Sequence, residues 1–135
     1  MPAVDDVRRV LEGLPDLRLA YVFGSVATGR DSASSDLDVA VLFADRIDSG
    51  RLDRLSERLS AAAGRPVDLV DLSKAPPLLA HQVVARGTCL VSRDRSTQAS
   101  FETRTVMRFL DTRHLRSIQH RYLGERARAH HDRRA

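Results

Sequence analysis

The chain has 135 residues, 42% of them apolar and 30% charged, which is enough for one small domain with a real core and too little for two. Its formal charge of +4 is unevenly spread: residues 1–100 carry 13 Lys/Arg against 14 Asp/Glu, while residues 101–135 carry nine Arg against four acids. No apolar run approaches the ~20 residues that span a bilayer, a single cysteine excludes an internal disulfide, and the opening MPAVDDVRRV lacks the basic-then-apolar order of a secretory leader.

These features lead to the expectation of a cytoplasmic chain without membrane contact. A basic tail suits nucleic acid or an acidic protein. Here the basic residues are 21 Arg and one Lys throughout, and aromatics for base stacking are scarce, so nucleic acid is not expected as a partner.

In chain order, Val4, Val7, Val10, Leu11 and Leu14 recur with a helical period. LRLAYVF (17–23) reads as a first strand, and the Ser/Thr/Gly/Asp-rich stretch from Ser25 to Ser35 as a loop. Leu37 to Phe43 reads as a second strand, apolar on both faces beyond its aspartates and therefore central in a sheet. Leu52, Leu55, Leu59 and Ala62 mark a helix from Arg51 to Ala63 that Gly64 stops. PVDLVDL (66–72) is a third strand, and Pro76-Pro77 breaks the chain before a helix through Leu78 and Val83 that ends at Gly87. Cys89 to Val91 is a short fourth strand. From about Gln98 a long helix carries Phe101, Met107, Leu110, His114, Ile118 and Tyr122 as a stripe. The expected layout is α/β, with a domain over 1–96 and an amphipathic helix with a basic tail over 97–135.

The chemistry concentrates in GSVATGRDSASSDLD, from Gly24 to Asp38. A strand that ends in Gly24-Ser25 brings backbone N–H groups and a hydroxyl to a turn with no side chain blocking an incoming phosphate. Asp36 and Asp38, two apart at the start of a strand, project to one face about 7 Å apart. Carboxylates so placed suit a pair of divalent cations about 3.5–4 Å apart, as in-line displacement at phosphorus requires. A third carboxylate would complete such a site and take the proton from the attacking hydroxyl. Asp68 lies inside the apolar third strand, where burial would cost several kcal/mol unless it were paired or bound metal. Asp71, three residues on, falls on the opposite face and reads as a cap or surface group. Arg30, in the phosphate loop, could meet a triphosphate oxygen.

Gly-Ser, ten residues, Asp-Leu-Asp and a later strand aspartate together resemble the nucleotidyltransferase fold of the DNA polymerase β superfamily. The wording GSVATGRDSASSDLDVAVLF resembles the minimal nucleotidyltransferase (MNT) group within it. The resemblance covers roughly Leu17 to Asp94. It implies a small mixed sheet with flanking helices and a long C-terminal helix. It implies that Gly24 and Ser25 cradle the nucleotide phosphates, that Asp36 and Asp38 bind Mg²⁺, and that Asp68 completes the two-metal site and helps deprotonate the acceptor. The implied reaction moves AMP from ATP to a hydroxyl. Short MNT chains are commonly paired with a HEPN-domain ribonuclease toxin, and the resemblance implies an antitoxin that AMPylates a toxin tyrosine. The amphipathic C-terminal helix is the candidate contact, by a helix-in-groove mode. Two alternatives stand beside it. One is an antitoxin that neutralises by binding alone, and the other is a transferase for small acceptors such as antibiotics.

Overall fold

The structure is a computed structural model in which residues 2–24 and 36–112 are described. Ser25, Arg30 and the tail with His114, Ile118 and Tyr122 lie outside them. Helix α1 (Pro2–Glu12) leads into strand β1 (Leu17–Phe23), and β2 (Leu37–Phe43) follows the stretch carrying the phosphate-loop motif. Then come α2 (Ser49–Ala63), β3 (Val67–Asp71), α3 (Pro77–Arg86) and β4 (Thr88–Ser92). A fourth helix, α4, covers 95–112. The sheet order is β3-β2-β1-β4. Strand β1 pairs antiparallel with β2 and β4, whereas β2 and β3 run parallel. The fold is α/β with a small mixed sheet, and β2 is central, as its two apolar faces require.

Period-two alternation divides the side chains between two cores. On one face, Val7 and Leu11 of α1 and Leu55 and Leu59 of α2 pack on Leu17, Ala20, Val22, Val39 and Val41. On the other, Val83 of α3 and Phe101 of α4 pack on Leu19, Tyr21, Ala40 and Leu72. The bounds of β1 and β2 coincide with the two apolar runs.

Helix ends depart from the periodicity where caps decide them. Asp48 accepts a hydrogen bond from the Arg51 N–H at 2.7 Å, so α2 opens at Ser49, before its first apolar residue. Asp94 accepts from the Ser96 N–H and the Thr97 hydroxyl, both at 3.1 Å, and α4 therefore opens at 95, ahead of Gln98. The expected stripe of α4 is corrected too: Phe101 is buried against the sheet while Met107 and Leu110 are exposed. Residues six and nine apart do not share a helix face with the first one.

Candidate active site

The end of β1 brings Gly24 beside the start of β2. Gly24 has φ +74°, a left-handed conformation that side chains with a Cβ rarely adopt, and a Cβ built there would overlap the Asp38 carboxylate. The glycine turn and the second aspartate of the Asp-Leu-Asp pair are therefore in direct juxtaposition. Asp36 immediately precedes β2 and is exposed; Asp38 lies within it and is half-buried.

Strand β3 supplies the third carboxylate. Its parallel register sets Asp68 opposite Asp38, so both belong to the sheet face that also carries Ala40, Leu42, Val70 and Leu72. Asp68 is exposed, which corrects the expectation of a buried carboxylate: β3 is an edge strand. The buried one is Asp71, at 8% exposure. Its Oδ1 accepts from the Ser73 N–H and hydroxyl at 3.0 and 2.7 Å, and its Oδ2 has no hydrogen-bond partner among the described residues. Asp71 thus caps the turn out of β3, on the face away from Asp68.

The register of β3 is set by side chains that periodicity alone passes over. The Ser60 hydroxyl accepts the Val67 N–H at 2.9 Å and donates to the Ser56 carbonyl, while the Ser56 hydroxyl donates to the Val67 carbonyl at 2.8 Å. Two serines of α2, one turn apart, thereby clamp the residue before Asp68. The Leu37 N–H closes the same end by donating to the Pro66 carbonyl at 2.9 Å.

Three negative charges in one corner repel one another. Burial first, then the charges of Asp68 and Asp36, raise the Asp38 carboxyl above the usual carboxylate range. A divalent cation would relieve that repulsion. Among the described residues, however, no three acidic, histidine or cysteine side chains converge closely enough to hold a metal on their own. That donor set fits Mg²⁺, which is ordinarily held by one or two carboxylates together with substrate phosphates and water, not by an all-protein cage. His81 is no part of this corner; its ring stacks on Phe109 of α4 at 3.8 Å between centroids.

A mixed sheet presenting in-register carboxylates beside a glycine turn is the architecture of a nucleotidyl-transferring domain. The family model of the polymerase beta nucleotidyltransferases matches residues 5–96, and the chain belongs to that family. Among curated proteins it is 40% identical over 81 residues to the protein adenylyltransferase MntA of Shewanella oneidensis. That alignment takes in 60% of this chain and 58% of the relative, so the chain spans rather more than half the length of the curated protein it matches. Among solved structures it resembles a chain of a toxin–antitoxin crystallised with AMP-PNP, at 31% identity and a TM-score of 0.77 over 90% of this chain and 96% of that one. It also resembles a chain in the complex of tri-AMPylated Shewanella oneidensis HEPN toxin with MNT antitoxin, at 29% identity and a TM-score of 0.72 over 91% and 94%.

Proposed function

We propose that this chain is a Mg²⁺-dependent adenylyltransferase that moves AMP from ATP to a tyrosine hydroxyl of a HEPN toxin, and so acts as an antitoxin. The observation that carries this reading is the placement of Asp38 beside both Gly24 and the in-register Asp68. It sets a glycine turn directly against paired carboxylates. The likeness to a curated adenylyltransferase, to a chain of a toxin–antitoxin crystallised with AMP-PNP and to a chain of a complex holding a tri-AMPylated HEPN toxin supports the substrate and the partner.

In the reaction, the acceptor oxygen bonds to the α-phosphorus of ATP as the bond to the bridging oxygen breaks, and pyrophosphate leaves. Asp68, the most exposed to solvent of the in-register pair, receives the acceptor proton. Asp36 and Asp38, with Asp68, would hold Mg²⁺ jointly with the phosphates, where it would supply positive charge against that developing on the phosphate oxygens. Gly24 and Ser25, with Arg30, cradle the triphosphate.

The test is incubation with labelled ATP, Mg²⁺ and the product of the adjacent gene, followed by mass spectrometry of both proteins. Label on a tyrosine of the partner is the expected result. Protection of cells that survives Asp36→Ala with Asp38→Ala would instead establish neutralisation by binding alone. Transfer to a small alcohol without any protein partner would establish the antibiotic-type alternative.

A further inference from the structure

Helix α4 carries apolar side chains on two opposite sides. Phe101 and Thr105 are buried against the sheet, and Phe109 stacks on His81 of α3. Val106, Met107 and Leu110 stand about 120–180° round the helix from Phe101 at the α-helical angular step. They are 37%, 53% and 47% exposed. Isolated exposed apolar residues are ordinary, but a cluster opposite the core stripe of one helix marks a second surface to be covered.

The flank of the same helix is basic. Arg104 and Arg108, one turn apart, form no ion pair with any described carboxylate. With Thr105 and Ser73 they border a groove of about 260 Å³ floored by Leu42, Leu72 and Phe101. Leu42 and Leu72 each stand four residues along their strands from Asp38 and Asp68, on the same sheet face, hence about 13 Å away.

The comparisons divide at this helix. The family model ends at residue 96, where α4 has barely begun, whereas the two toxin–antitoxin neighbours match 90% and 91% of the chain and must therefore run well into it. The helix is shared with the proteins found in toxin complexes and lies outside the stretch common to the family at large.

We propose that the outer face of α4, formed by Val106, Met107 and Leu110 and flanked by Arg104 and Arg108, is the surface on which the toxin docks. The fit is to a partner that offers an apolar helix edge bordered by carboxylates. This inference rests on the functional reading above.

The test measures binding of the purified product of the adjacent gene to the full chain by calorimetry, for wild type, for Met107→Asp with Leu110→Asp, and for Arg104→Glu with Arg108→Glu. All four positions lie outside the core, so both variants are expected to keep wild-type thermal midpoints and Mg²⁺-ATP binding. Each pair is expected to weaken toxin affinity by about tenfold or more, as central apolar and arginine contacts commonly do. The arginine pair should also flatten the salt dependence of binding. Unchanged affinity in both variants overturns the proposal while leaving the enzyme assignment intact. So does a wild-type chain that self-associates through this face, seen as a dimer by light scattering that the apolar variant dissociates. A wild-type chain that neither binds nor labels the adjacent gene's product overturns the functional reading itself, and this inference with it.

Discussion

Gly24 and Asp38 are packed so closely that the Cβ of any other residue at position 24 would overlap the Asp38 carboxylate. Two penalties coincide at this glycine. The left-handed backbone costs a residue with a Cβ about 1–2 kcal/mol, and relief of the overlap must displace Asp38. Gly24→Ala is therefore expected to lower stability by about that amount and to reduce AMP transfer by about a hundredfold, because a misplacement of about 1 Å at a reacting centre has effects of that order. Thermal melting and the rate of toxin labelling check the two halves separately.

Asp38 carries a stability cost once it is ionised. Burial and the charges of Asp68 and Asp36 raise its carboxyl above the ordinary value of 3.8, so the native state holds that proton more tightly than the unfolded chain does. Its contribution to stability is complete below the unfolded value and is lost as pH rises through the folded one. Above that window the ionised carboxylate is a standing penalty. Asp38→Asn should raise the thermal midpoint at neutral pH in metal-free buffer and abolish transfer. Added Mg²⁺ should stabilise the wild type and leave the variant nearly unmoved. A lower midpoint for Asp38→Asn at neutral pH would contradict this account.

Ser60 and Ser56 hold Val67, the residue before Asp68. Removing the Ser60 hydroxyl leaves the buried Val67 N–H without its acceptor, at about 1–3 kcal/mol. The start of β3 then loosens, and Asp68 with it. Ser60→Ala should slow transfer per folded molecule in the wild-type background. In an Asp68→Ala background the same change should slow it no further, since coupled residues give non-additive effects. Equal slowing in both backgrounds would assign the serine to stability alone.

Much of this was readable from residues in a row, and what was not depends on pairing between distant segments. The runs LRLAYVF and DLDVAVLF gave β1 and β2 their limits because apolar alternation stops abruptly at Gly24 and at Asp36. The expectation of a buried Asp68 fails: an apolar strand interior suggests burial, whereas β3 occupies the sheet edge and Asp68 is exposed. Strand order is not encoded in one strand's pattern. Ser56 and Ser60 carry no apolar periodicity, and serines on a helix read as solvent-facing. Their spacing of four, each directly after Leu55 or Leu59 of the core stripe, was the available signal. In α4, Met107 and Leu110 were grouped with Phe101 although their spacings put them on the far side.

Arg93 offers a test of stability kept apart from catalysis. Its guanidinium donates to the carbonyls of Leu11, Glu12 and Leu14 at the end of α1 and of Leu17 at the start of β1. Its own N–H donates to the Arg18 carbonyl at 3.1 Å. One planar cation thus adds donors to the carbonyls at and just beyond a helix C-terminus, two of which, Leu11 and Leu14, also accept backbone N–H groups, and positive charge there is favoured by the helix dipole. Lysine has a single ammonium and cannot reproduce that fork. Arg93→Ala and Arg93→Lys should both destabilise, by about 1–3 kcal/mol for hydrogen bonds from a charged donor. Gly24 lies at the other end of β1, about 20 Å away along the strand. Transfer measured well below the thermal midpoint should therefore match the wild type in both variants. A lysine variant as stable as wild type would show that charge alone, without the fork, holds the end of α1.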